Sequence, residues 1–491
     1  MNAMANTRFV RGALRVAATL GTVTIVLAGT GSAQVLDRTH PPTLGPAPAL
    51  RLPTIQTAVL PNGLRLFVVE MHEVPVVDIS LTLDAGAVGD PADLPGLATF
   101  TAAMLDEGAG QRAALEIAEE ADFLGARLNT GAGYETAGIT LHVPKRQLGP
   151  ALDLMADVAL RPTFADSEVA RQRELRRNAI LQQRDQPNAV AAVAFPAIVY
   201  GNAHPYGRPI GGTEASTAAL TRERVVDFYQ GYYRPSNARM LVVGDITLAE
   251  AQQLVAARFG AWERGQPRAV APAPAPATPA ARTIHIIDKP GAAQSVIRIG
   301  HVGVARTNPD YFPLEVMNTI LGGSFTSRLN QNLRETHGYT YGANSGFAYR
   351  RMAGPFTAGS SVQSSKTDSS LIQFMLELRR IRDEVVPQAE LDKAKSYIAL
   401  GMPGNFETTA GAAGMFAQLL TFGLPLDYYN SYVQRVNAVT AADLQRVARQ
   451  YLNPDQFSIV IVGDRASIEA GIRALNEGPI SLRDIWGQEI R

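Results

Sequence analysis

The sequence predicts an α+β protein made of two tandem copies of one domain. Three observations carry that prediction. Short β-branched runs such as GLRLFVVE and VVDISLTLDAGA read as strands and are followed by long helical stretches. An Ala-Pro tract, QPRAVAPAPAPATPAAR (266–282), cannot donate a regular hydrogen-bond ladder and reads as a semi-rigid linker between portions of similar size. The end of the first portion, LTRERVVDFYQGYYRPSNARMLVVGD, matches VTAADLQRVARQYLNPDQFSIVIVGD in the second without a gap. Thr221, Tyr232, Pro235, Val243, Gly244 and Asp245 fall on Thr440, Tyr451, Pro454, Val462, Gly463 and Asp464. Each unit reads as a Thr-capped helix, a turn at Pro and a buried strand closing on Gly-Asp, and the shared register reads as a duplication.

Composition sets outer bounds. At 491 residues the chain exceeds one compact core. Lys+Arg and Asp+Glu both number 45, so no global field draws nucleic acid or an anionic membrane. Cysteine is absent, which excludes disulfides, thiolate metal sites and a thiol nucleophile. Arg8, Arg11 and Arg15 precede an apolar run from Val16 to Gly29, and the small residues GTGSA end at Ala33. That pattern predicts a secretory signal peptide over 1–33, hence an exported protein, periplasmic if the source is a Gram-negative bacterium. The run falls short of the roughly 20 residues of a spanning helix, so no membrane span is expected after signal removal.

A Pro-rich lead-in (34–53) brings the chain to the first domain, 54–265. After its two strands, a helix is expected from Pro95 to Glu107, with Pro95 at the first helical position and Gly108 ending it. A helix from Ala113 to Leu124 precedes a hairpin, ARLNTGAGYETAGITLHV, with Thr140 and His142 on one face and Leu141 and Val143 on the other. Helices from Gln147 to Ala159 and from Asp166 to Arg184 lead to the loop YGNAHPYGRPIGG. In the second domain, 283–491, LGGSFTSRL reads as a Gly-Gly break at Gly322 and Gly323 before a helix capped by Ser324 or Thr326. It lacks the Gly-Lys-Ser/Thr ending of a phosphate loop. Arg334 is expected near a helix C-terminus closed by Gly338, and Tyr341 on a strand with Tyr339. His337 and Tyr339 read as structural. The helix LPGLATFTAAML carries small side chains at Thr99, Ala102 and Ala103, either for close packing or where something larger has been lost.

Five segments in order resemble the insulinase/pitrilysin family of zinc metallopeptidases, which includes the mitochondrial processing peptidase. They are LPNGLRLFVVE, LDAGAVGDPADLPGLATFTAAML, YGNAHPYGRPIGG, YYRPSNARMLVVGD and LGGSFTSRLNQNLRETHGYTYGANSGF. The resemblance implies two homologous domains, each a mixed β-sheet with helices on one face, arranged as a clamshell. Active members bind zinc through a His-x-x-Glu-His helix and a distant Glu. Two imidazoles one turn apart reach one metal, and the Glu between them handles the proton of its water. Carried over, the first His falls on Thr99, the Glu on Ala102, the second His on Ala103 and the third ligand on Ala179 or Ile180. None supplies a usable donor set, so no metal is expected on this chain. The seven histidines elsewhere lack the helical spacing of a peptidase motif.

The resemblance also places Arg334 and Tyr341 on the family's Arg-Tyr pair, which donates hydrogen bonds to the substrate carbonyl and its developing oxyanion. It sets Asn129 and Thr130 on the strand that pairs with peptide substrate, although the residues alone read equally well as an ordinary hairpin. What this implies is a non-catalytic subunit of a two-subunit peptidase. It would bind peptide and lend Arg334 and Tyr341 in trans to a catalytic family member that holds the zinc. The alternative is a scaffold or binding protein similar to the respiratory-complex core proteins. A self-sufficient hydrolase with an unrecognised site is the third reading, and the missing ligands argue against it.

Overall fold

The computed structural model describes residues 52–277 and 279–490. The segment expected to be a signal peptide and most of the lead-in lie outside the described residues. The first half begins with strands β1 (Gln56–Val59), β2 (Arg65–Glu70) and β3 (Val76–Leu83), then helices α1 (Leu97–Ala103) and α2 (Ala114–Phe123). A hairpin of β4 (Arg127–Ala132) and β5 (Ala137–Pro144) leads into helices α3 (Leu148–Leu160), α4 (Asp166–Gln183), α5 (Pro187–Tyr200) and α6 (Arg222–Tyr232). Strand β6 (Ala238–Gly244) and helix α7 (Leu248–Phe259) close the half.

The second half repeats this order with β7 (Thr283–Asp288), β8 (Gln294–Val302), α8 (Tyr311–Asn318), β9 (Ala343–Phe347) and β10 (Pro355–Gln363). Helices α9 (Thr367–Asp383), α10 (Gln388–Gly401), α11 (Thr409–Phe422) and α12 (Ala441–Tyr451) follow, then β11 (Ser458–Gly463), α13 (Arg465–Ala474) and β12 (Ile480–Arg483). The sheets run β1-β2-β6-β3-β5-β4 and β12-β7-β11-β8-β10-β9. The duplication is therefore structural, and each sheet is mixed: β2 runs parallel to β6 and β7 parallel to β11. The added edge strands break the symmetry, since β1 is antiparallel to β2 whereas β12 is parallel to β7.

The matched segments fold as their residue types require. The Thr221 and Thr440 hydroxyls accept from the backbone N–H of Arg224 at 3.4 Å and of Asp443 at 3.1 Å, capping α6 and α12. Strands β6 and β11 are buried at every position, because layers cover both faces of these central strands. The Ala-Pro tract adopts neither helix nor strand over its described residues. It is tied to the first half where Arg268 pairs with Asp227 at 2.9 Å and donates its N–H to Gly231 O at 2.7 Å.

Each sheet keeps its own helices on one face and receives a helix from the opposite half on the other. Helix α5 packs on β8 and β11, with Val190, Ala194 and Phe195 against Val296, Val460 and Val462. Helix α11 packs reciprocally on β3 and β6, with Ala412 and Phe416 in one cluster with Leu241 and Val243. There the Thr409 hydroxyl donates to Asp78 Oδ2 at 2.6 Å, and His142 Nδ1 lies 3.0 Å from Asp78 Oδ1. The turn after β9 also enters the first half. The Arg350 guanidinium lies over Tyr134 at 3.9 Å and Tyr206 at 4.4 Å, Arg351 pairs with Asp84, and the Tyr200 hydroxyl donates to Ala353 O at 2.8 Å. The loop YGNAHPYGRPIGG thus supplies part of the junction between halves.

Several local expectations are corrected. Pro95 lies outside α1, because Gly96 holds the N-cap position with φ +94, and the helix stops at Ala103 well before Gly108. Helix α5 is absent from the sequence reading. Ser324 does not cap the next helix; its hydroxyl donates back to Thr319 O at 3.1 Å, and the short helix Arg328–Asn330 starts after Ser327. Gly322 and Gly323 end a wide, π-type turn over Thr319–Gly323, and a second such turn covers Gln331–Thr336. Tyr339 and Tyr341 lie in a bend, since β9 begins only at Ala343.

Candidate functional site

Helix α1 is held at its N-terminus by a buried carboxylate. Asp90 accepts from Gly96 N at 2.8 Å and from Ala98 N at 2.7 Å, which satisfies donors that a helix start leaves open. Burial pushes the Asp90 carboxyl up to about 7, although these two bonds and the guanidiniums of Arg208 and Arg176 oppose the shift. The loop before α6 closes over the same end. A Cβ on Gly96 would come within 2.8 Å of the Gly212 Cα, and Gly212 itself has φ +83, so two glycines let the backbones meet.

The structure brings Thr99, Ala102 and Ala103 together on α1 and fills their surroundings from α4 and the loop. Thr99 Oγ1 lies 3.0 Å from Gly96 O and 2.9 Å from Ile210 O as donor. It accepts from Arg176 Nη1 at 3.0 Å, and the same Nη1 donates to Gly96 O at 2.9 Å. The Arg176 guanidinium also lies over the Phe100 ring at 5.0 Å. Burial lowers Arg176 to about 10, a value that still leaves it charged at neutral pH. Ala102 is fully buried, Ala179 is exposed and Ile180 is buried. A zinc ion does not fit these residues. The Thr99 hydroxyl is committed to protein partners, the alanines and Ile180 carry no donor, and a fixed positive charge already sits against Thr99.

Two carboxylates follow α1. Thr130 Oγ1 donates to Asp106 Oδ1 at 3.2 Å, while Glu107 takes Arg171 and Gln172 from α4. Burial raises both carboxyls, against those bonds. Among the described residues no three His, Asp or Glu side chains come together as a metal-binding group. Asn129 and Thr130 are successive residues of the edge strand β4 and so point to opposite faces. Thr130 meets Asp106; Asn129 is exposed on the opposite face.

In the second half Arg334 and Tyr341 each have their own surroundings. Arg334 lies over the Phe325 ring at 4.5 Å and within 3.5 Å of Glu335. Tyr341 is 90% exposed at the mouth of a cavity of about 260 Å³ that Arg334 does not line. His337 and Tyr339 stack on each other with ring centroids 5.0 Å apart. Sequence reasoning missed Arg176, Asp90 and Ile210. One signal was present for Arg176: it lies one helical turn before Ala179 and Ile180 in RRNAILQQ.

A duplicated α+β fold whose metal-helix positions carry Thr, Ala and Ala defines a two-domain, zinc-peptidase-like protein without the peptidase donors. The chain belongs to the insulinase family, peptidase family M16. The family described as "Insulinase (Peptidase family M16)" matches residues 66–214, and that described as "Peptidase M16 inactive domain" matches 219–398, a span that crosses the Ala-Pro tract. An uncharacterised zinc protease of Mycobacterium leprae is 25% identical over 421 residues, covering 85% of this chain and 94% of that protein. One from Bacillus subtilis is 24% identical over 397 residues, covering 80% and 95%. A crystal structure of a peptidase M16 inactive domain from Pseudomonas fluorescens is similar with a TM-score of 0.78 and 28% identity, covering 83% of this chain and 98% of that one. A protease from Helicobacter pylori shares the fold with a TM-score of 0.79 at 20% identity, covering 84% and 100%.

Proposed function

We propose that this protein is the non-catalytic subunit of an exported two-subunit zinc metallopeptidase. It binds peptide substrate, with Asn129 and Thr130 on edge strand β4, and supplies Arg334 and Tyr341 to the zinc site of a family member carrying the intact His-x-x-Glu-His motif. Zinc resides on that partner and this chain holds no cofactor. The observation that carries the reading is the contrast between the two halves. The metal-helix positions are closed by Arg176 and Ile210, while the phenol of Tyr341 stays open to solvent. An exposed phenol is available to a second protein, and one oxyanion donor is worth on the order of a hundredfold in rate. The test is peptide hydrolysis by the partner with and without this chain. Stimulation that Tyr341→Phe removes, with the two proteins still co-eluting, supports the reading; an unchanged rate contradicts it.

A non-proteolytic scaffold is the second reading. Arg334 is engaged by Phe325 and Glu335 and does not line the cavity at Tyr341, which favours it. Complex formation that leaves the partner's hydrolysis unaltered is the result that would select it.

A further inference from the structure

The inner face of the second sheet, the one that receives α5, carries a cation with no protein counter-charge. Arg298 on β8 is half-buried, and among the described residues it has no ion pair and no side-chain hydrogen bond. Burial alone pushes its guanidinium below the usual range. It lines the cavity of about 260 Å³ together with Asn188, Gln294, Tyr341, Asn344 and Ser361, and no acidic side chain lines that cavity. A desolvated charge without a partner is costly, and proteins seldom keep one without a ligand or a relay to serve.

Strand register explains how the cavity is made. Arg298 lies opposite Val460 on one side and Gly359 on the other, and Gly359 lies opposite Asn344 on the edge strand. Side chains directly opposite in a sheet share a face, so the row reads Val460, Arg298, Gly359 and Asn344, and a Cβ at 359 would come within 2.5 Å of Ile297 O. The first half has the same row without the charge or the glycine: Leu241, Ser80, Thr140 and Asn129. The second half therefore differs by a cation at 298 and by a glycine at 359, where no side chain stands between the guanidinium and the Asn344 amide that line the slot. Asn188 Nδ2, 3.2 Å from Ser361 Oγ, walls the slot from α5.

We infer that this slot is a carboxylate-binding subsite for peptides, with Arg298 as the charge partner and Asn344 and Tyr341 as neutral donors. A planar carboxylate matches the guanidinium fork. The slot opens beside β9, which pairs on one side only, so an extended peptide lying along that edge presents its terminus or an acidic side chain to Arg298. The inference rests on the proposal that this chain binds peptide, and it adds to the contact proposed on β4 a second one beside β9 with a preference for carboxylate.

The test is fluorescence anisotropy on the whole chain with three short labelled peptides of otherwise neutral sequence. One ends in a free carboxylate, one is its C-terminal amide, and one is the amide carrying a single internal Glu. At least one carboxylate peptide should bind roughly tenfold tighter than the neutral amide. Preference for the free acid assigns the terminus, and preference for the Glu amide assigns the side chain. Arg298→Gln should bring all three to the amide level with no fall in Tm, and Arg298→Lys should restore part of the preference. Equal binding of all three by the wild type, or a preference that survives Arg298→Gln, overturns the subsite. If no peptide binds the wild type, the peptide-binding reading falls and the subsite falls with it; binding without preference removes the subsite alone.

Discussion

At the residue scale a guanidinium sits against Thr99, one of the positions that the family resemblance assigns to metal. Arg176 reaches Thr99 and Gly96 O from α4, so Arg176→Met should lower stability by about 1–3 kcal/mol through lost charge-assisted bonds, read as a fall in Tm. Restoring donors alone should not restore metal. Thr99→His, Ala102→Glu, Ala103→His and Ala179→Glu together should fail to take up stoichiometric zinc while Arg176 remains. Adding Arg176→Ala should raise zinc affinity, measured by metal titration; tight zinc with Arg176 present contradicts the account. Asp90 adds a pH signature. Its folded pKa of about 7 lies above the ordinary 3.8, so the native state holds the extra proton between those values. Its contribution to stability is therefore full below about 4 and is lost as pH rises towards about 7. Asp90→Asn should flatten that slope in unfolding free energy measured across the range. The small face of Thr99, Ala102 and Ala103 was legible as a local pattern, while its link to metal ligands came from the family resemblance. The Arg176 contact was not, because it joins positions on two helices through the fold, and no local pattern announces it.

At the element scale the exchange of α5 and α11 binds the halves together. Phe195→Ala, on the contact of α5 with the second sheet, should cost about 3–5 kcal/mol. It should also speed proteolysis within the Ala-Pro tract, since the halves lose part of their shared core. Thr409→Val removes the donor to Asp78 and should cost about 1–3 kcal/mol, because the carboxylate is left with His142 alone. The duplicated Thr-cap, Pro turn and Gly-Asp strand were readable, since caps and buried strands are local. Helix α5 was not. Its sequence PNAVAAVAFPAIVY is apolar around most of its surface and contains Pro196, so it shows no amphipathic period. That pattern makes sense once the helix is seen to lie on a foreign sheet. The strand expected at Tyr341 failed for a related reason: the wide turn over Gln331–Thr336 and the bend after it delay β9 to Ala343.

At the scale of the whole molecule, two homologous halves have diverged in what they offer. The first has Thr99 of α1 closed in by Arg176 and Ile210, and the second keeps an exposed phenol and, on its inner side, a guanidinium without an ion pair among the described residues. Among the described residues no three His, Asp or Glu side chains come together as a metal-binding group, and the proposed function assigns hydrolysis to a partner chain. The most direct measurement is zinc content and peptide hydrolysis for this protein alone, for a family member with the intact motif alone, and for the two mixed. The account predicts no stoichiometric zinc and no cleavage by this chain alone, and cleavage by the mixture that exceeds the partner's own. Stoichiometric zinc together with peptide cleavage by this chain alone would contradict it.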